Sequence, residues 1–228
     1  MKKVIIITGG SSGLGRQIAK QLSAQHRVII LSRNSDGKTL PSTAKKLGCD
    51  FYACDVSVYA NVKAVVSAIV QKYKRIDCLV NAAGVWIEGP IEKSDPEEIR
   101  NTVNVNVTGV LYMTKAVVPQ MKKQKSGQII MINSGAGLHS KAERSTYTAS
   151  KWAVTGATKA LQHELHPYGI RVTGLYPGKM TPSMRVKGKK KQTWPALKIS
   201  RLAEIIQYLV NFDSDIVFTG IELKHVKA

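Results

Sequence analysis

The chain has 228 residues, 43% of them hydrophobic, which suits one domain with a sizeable core. Lys and Arg total 34 against 15 Asp and Glu, a formal net charge of +19 that favours anionic ligands or partners. Apolar runs such as "VIII" at 4–7 fall far short of the ~18 residues that span a bilayer, and three cysteines without a CxxC pair give no support to a zinc or dithiol motif. These features read as a cytoplasmic protein, mature from its first residue, with reduced thiols, no bound metal and no membrane span. The basic residues are dispersed, as on a solvated surface, except for "KKQK" at 122–125 and "KGKKK" at 187–191.

Short β-branched runs end at Thr8, Leu31, Cys54, Val80, Asn133 and Tyr176, and near Val226. Between them lie segments of helical spacing: "GRQIAKQLSAQ", "NVKAVVSAIVQKY", "NVTGVLYMTKAVVPQM" and "KWAVTGATKALQHEL". Strands apolar throughout, alternating with helices, predict a parallel sheet covered on both faces. The expectation is a single α/β domain over 1–228, doubly wound, with about seven mostly parallel strands. Residues 179–195, rich in Gly, Pro and Lys, read as a substrate loop.

The first strand runs into "TGGSSGLGRQIAKQL". Glycines there let the chain turn tightly, let a pyrophosphate approach the backbone, and open a helix whose free N–H groups face the phosphates. The spacing is TGxxxGxG rather than GxGxxG. Gly9, Ser11, Ser12, Gly13, Leu14 and Gly15 are therefore expected to hold a dinucleotide. At the end of the second strand, an acidic residue commonly grips a ribose 2′-hydroxyl, whereas an arginine accommodates a 2′-phosphate. Ser32 and Arg33 stand there with no carboxylate, which favours NADP(H) over NAD(H). Asp55, followed by Val56, ends the third strand and would cap the next helix or meet the adenine.

"YTASK" places Tyr147 and Lys151 one helical turn apart, on one face. Tyr59 and Lys63 share that spacing, so the spacing alone decides nothing. The order of motifs does. "TGGSSGLG", "VNAAG" (80–84), "NVTG" (106–109), "INSGAG" (132–137), "YTASK" and "YPG" (176–178) together resemble the short-chain dehydrogenase/reductase family, over nearly the whole chain. Ser134 lies thirteen residues before Tyr147, as that family expects, while Lys46 lies thirteen before Tyr59. The pair Tyr59 and Lys63 then reads as a helix-surface pair.

The resemblance implies a Rossmann-like fold and a catalytic set of Asn106, Ser134, Tyr147 and Lys151. It also implies cofactor contacts from Asn81, Ala82, Gly84, Tyr147, Lys151, Pro177, Gly178 and Thr181. In this reading Tyr147 is the general acid/base and Lys151 lowers its pKa and bonds the ribose. Ser134 holds the carbonyl oxygen, and Asn106 anchors a water. Trp86 and His139 are open between lining the substrate pocket and plain packing or surface roles; His163 and His166 read as packing or solvent residues.

The expected function is NADP(H)-dependent interconversion of a carbonyl and an alcohol on a small molecule, anionic or carrier-linked substrates included. The expected assembly is a homodimer through helices beginning near Asp95 and Thr146. The chain lacks the Val-Asp-Gly-Gly tail of many relatives, which speaks against the usual tetramer. A different class, a non-catalytic dinucleotide sensor or basic-surface binding protein on the same fold, would be favoured by loss of a catalytic residue, and none is lost. No specific nucleic-acid partner is expected.

Overall fold

The computed structural model describes residues 2–33, 37–180 and 195–227. Its sheet has seven strands: β1 (Val4–Thr8), β2 (Arg27–Ser32), β3 (Asp50–Ala53), β4 (Cys78–Asn81), β5 (Gly127–Ile132), β6 (Ile170–Pro177) and β7 (Gly220–Leu223). Their order across the sheet is β3-β2-β1-β4-β5-β6-β7, and every neighbouring pair is parallel. Among the described residues, seven α-helices connect them: α1 (Gly13–Leu22), α2 (Thr39–Leu47), α3 (Tyr59–Tyr73), α4 (Pro96–Val103), α5 (Gly109–Gln124), α6 (Ser145–Leu165) and α7 (Ile199–Asn211). The chain leaves β3 at one edge and re-enters beside β1. That reversal opens a crevice at the carboxyl ends of β1 and β4, where doubly wound sheets bind ligands.

Two apolar cores flank the sheet. One is built on Ile6, Ile29, Leu79 and Ile129 with Val62, Met113 and Val154 from α3, α5 and α6. The other joins Ile5, Ile7 and Ile30 to Ile18, Leu40 and Ile206 from α1, α2 and α7. Strands β1 and β4 are buried residue by residue, as continuous apolar runs require. The edge strands depart from that expectation: β3 and β7 alternate between half-buried and exposed residues because only one neighbour covers them. β7 also ends at Leu223, short of Val226, which is 96% exposed. α1 ends at Leu22 rather than carrying through Gln25, whose N–H bonds back to the Leu22 carbonyl in a closing turn.

Cys54 and Cys78 are buried and Cys49 half-buried, all as free thiols. Burial pushes Cys49 and Cys54 up to about 11 and Cys78 up to about 12, so they are packing groups rather than nucleophiles. Among the described residues no helix is long and apolar enough to cross a membrane, and no His/Cys/Asp/Glu group fits a metal ion.

Candidate active site and cofactor crevice

The glycine loop is shaped by contact. Gly9 has φ +69° and lies against the backbone of Ala82 and Ala83. A Cβ on Gly15 would fall 2.4 Å from the Gly9 carbonyl oxygen, so the helix start can press on the loop only as glycine. Ser12, the residue before α1, makes no side-chain capping bond, and the first turn has no acidic residue. The positive end of the helix therefore meets no carboxylate of its own, as an anion cradle demands. Leu14 turns its side chain into the core, leaving only its backbone for that cradle.

Ser32 is bonded to Ser11, hydroxyl to hydroxyl at 2.8 Å, which fixes the end of β2 against the loop. Arg33 is exposed just beyond. Asp55 accepts from the backbone N–H of Ser57 at 2.9 Å and from its hydroxyl at 2.6 Å, so it serves as the turn former leading into α3. The Val56 side chain packs in the core against Gly109, where an added Cβ would come within 2.7 Å of it. Ala82 and Ala83 donate their N–H groups to the Thr8 hydroxyl at 3.0 and 2.9 Å, joining the ends of β1 and β4. Asn81 is buried; its amide approaches the Thr114 hydroxyl at 3.4 Å and its oxygen has no partner among the described residues.

Ser134, Tyr147, Lys151 and Asn106 come together at the carboxyl ends of β4 and β5. Ser134 caps the short turn after β5 by accepting from Ala136 N–H at 3.1 Å. Its own proton stays available, and its hydroxyl acts to lower the pKa of the Tyr147 phenol. Asn133, not foreseen from the sequence, holds the two elements in register: its amide donates to the Lys151 carbonyl at 3.1 Å and to the Thr155 hydroxyl at 2.8 Å. Thr155 in turn donates to the Gly137 carbonyl at 2.9 Å.

Lys151 is 5% exposed and donates to the Ile132 carbonyl at 3.2 Å. Its ammonium lies 5.7 Å from the centre of the Tyr147 ring. Burial depresses Lys151 to about 8. Tyr147 is held above the ordinary phenol value by burial, offset by the Ser134 bond and then by the positive charge of Arg144. Burial outweighs the bonding at Tyr147, and the charge of Arg144 acts on the phenol in the opposite sense.

Asn106 sits in one π-helical turn, 104–108, between α4 and α5. It is fully buried. Its oxygen accepts from Val85 N–H at 2.8 Å, and its amide donates to the Val85 carbonyl at 3.0 Å and the Ser150 hydroxyl at 3.1 Å. Ser150 passes its own proton to the Tyr147 carbonyl at 2.7 Å. Asn106 thus clasps the loop after β4 to the tyrosine-bearing helix. Gly84 lies beside it, and a Cβ there would crowd the Asn106 oxygen at 3.3 Å.

Gly178 N–H bonds the Leu223 carbonyl at 2.7 Å, so the Pro177–Gly178 turn is anchored to β7 and lies alongside Gly135. Trp86 packs on Tyr147 with ring centres 4.3 Å apart. His139 pairs with Glu222 on β7 at 3.1 Å instead of entering the tyrosine's surroundings. Tyr59 stacks on Tyr112 at 5.1 Å, far along the chain from these groups, as a helix-surface residue. Thr181 and the cluster at 187–191 lie outside the described residues.

The chain matches the short chain dehydrogenase family over residues 3–193. It is 33% identical over 229 residues to a 3-oxoacyl-acyl-carrier-protein reductase of Thermotoga maritima, covering 94% of this chain and 93% of that one. It is 34% identical over 190 residues to a sorbitol-6-phosphate 2-dehydrogenase of Klebsiella pneumoniae, covering 77% and 68%. Among solved structures it resembles the closed form of serine dehydrogenase complexed with NADP+ (TM-score 0.89, 27% identity, 96% and 94% covered). It also resembles an actinorhodin polyketide ketoreductase with NADPH (TM-score 0.88, 28% identity, 97% and 95% covered). The fold and these matches define a nicotinamide-dependent oxidoreductase. The chain belongs to the short-chain dehydrogenase/reductase family.

Proposed function

We propose that this protein reduces a small-molecule carbonyl to an alcohol, or the reverse, with NADP(H). The observation that carries the reading is the convergence of Ser134, Tyr147 and Lys151 beside an uncapped, glycine-bound helix start. The glycine loop and the N–H groups of α1 would hold the pyrophosphate, and Arg33 the 2′-phosphate. NADPH supplies the hydride. Ser134 presents a fixed donor to the carbonyl oxygen as negative charge develops there. Tyr147 delivers the proton to the nascent alkoxide, and takes one back in oxidation. Lys151 would bond the ribose and restore the charge balance around the phenol. Asn106 keeps the loop after β4 closed on α6 through Val85 and Ser150, in addition to any water it anchors.

Calorimetric titration with NADPH and NADH tests the cofactor half. Tight NADPH binding and weak NADH binding is expected, with Arg33→Ala losing roughly tenfold for NADPH alone. Equal losses for both cofactors would remove the role given to Arg33. Val103 on α4, Leu111 on α5 and Trp152 on α6 are exposed apolar residues, which supports a homodimer through these helices. Gel filtration returning a clean monomer would overturn that assembly.

A further inference from the structure

Trp86, Glu88 and Arg144 form a stack beside the tyrosine. Arg144 immediately precedes α6, three residues before Tyr147. Its guanidinium lies over the Trp86 indole, 4.9 Å from the ring centre, and that indole lies against Tyr147. Glu88 fixes the guanidinium with one carboxylate oxygen, which accepts from Nε at 3.2 Å and from an NH2 group at 2.9 Å. Gly89 N–H to the Glu143 carbonyl at 2.8 Å ties the two backbones together. Both charged side chains are two-thirds or more covered, at 31% and 22% exposure, so the pair is only partly screened by water.

From this stack we propose that Arg144, held by Glu88 across Trp86, is a positioning residue for Tyr147: it fixes the indole that shields the phenol and sets the charge facing it. The proposal rests on the reading of Tyr147 as the proton carrier. It goes beyond that reading because it adds a second cation beside that of Lys151. The physical need is clear. Trp86 removes water from Tyr147, which disfavours the tyrosinate. A cation held over the same indole offsets that penalty, and Glu88 limits how much. The charged groups around the phenol are Lys151 and Arg144 on its own helix segment and Glu88 from the loop after β4. His139, after β5, is engaged by Glu222, which also holds Lys224 at 2.8 Å.

The two charges predict opposite signs. The test is ultraviolet titration of tyrosinate on the whole protein, with the Tyr147→Phe spectrum subtracted to isolate one phenol. Arg144→Met is expected to move that midpoint up by about half a pH unit or more, and Glu88→Gln to move it down. Arg144→Lys keeps the charge and is expected to restore most of the wild-type midpoint. Melting curves and NADPH titration on each variant establish folding. Should Arg144→Met fail to fold, Glu88→Gln and Arg144→Lys still give the sign. A midpoint unmoved in Arg144→Met and in Glu88→Gln, or one that moves the same way in both, would overturn the proposal and leave a mere clasp between loops. This readout needs no turnover, so it stands apart from failure of the catalytic reading, which activity in Tyr147→Phe would reveal.

Discussion

Tyr147→Phe is expected to turn over carbonyl substrates roughly 10²- to 10⁴-fold more slowly than wild type, with NADPH binding unchanged. The substitution removes one hydroxyl and keeps the ring. The stack with Trp86, the position on α6 and the cofactor crevice are all retained, so the loss falls on proton transfer alone. Ser134 still accepts from the Ala136 N–H after the change. Stability should therefore shift little, by about 1 kcal/mol or less. Steady-state kinetics beside calorimetry check it: a fall in kcat with intact NADPH affinity supports general acid catalysis, and full activity would remove Tyr147 from the chemistry.

Lys151→Met is expected to abolish turnover and yet stabilise the cofactor-free protein at neutral pH. Lys151 has no carboxylate partner among the described contacts, and its bond to the Ile132 carbonyl is neutral on the acceptor side. Its folded pKa, about 8, lies below the ordinary lysine value of 10.5. The unfolded chain therefore binds the proton more tightly, and stability from this group rises with pH between about 8 and 10.5. At pH 7 the full cost of the buried charge is present. Methionine fills similar space without that charge, at the loss of one hydrogen bond. The net gain is about 1–3 kcal/mol at pH 7, or several degrees in melting temperature. It should shrink as the pH is raised past 8. Melting curves at pH 7 and pH 10 read this directly, and a destabilised variant at pH 7 would mean that the ammonium is compensated. Such a cost is understandable where a charge is kept for chemistry rather than for folding.

The parts of this site that are local in sequence were legible there. The glycine loop shows itself because a tight turn between an apolar strand and an amphipathic helix leaves one residue type for each step. Tyr147 and Lys151 are one turn apart on a helix, so their common face follows from periodicity. Parallel topology follows from strands that are apolar on both sides; β3 and β7 are parallel too but alternate in burial because they stand at the edges. Groups assembled from distant segments were not legible. Thr8 meeting Ala82 and Ala83, Asn133 meeting Thr155, and Asn106 clasping Val85 each depend on tertiary approach. The π turn at 104–108 has no propensity signal, since its register is fixed by where the Asn106 side chain finds its partners. Trp86 stood open between pocket wall and packing because its neighbours, Tyr147 and Arg144, lie some sixty residues further on. Arg144 carried no signal at all, being one basic residue in a chain rich in them.

The most direct test of the whole account is NADPH oxidation followed by absorbance with the purified protein against a panel of carbonyl compounds, ketoacyl thioesters, sugar phosphates and simple ketones among them. The account predicts steady consumption of NADPH with at least one member and none with Tyr147→Phe under the same conditions. Tight NADPH binding with no consumption by any carbonyl, and no NADP+ reduction by the corresponding alcohols, would contradict it and leave a binding protein on an oxidoreductase fold.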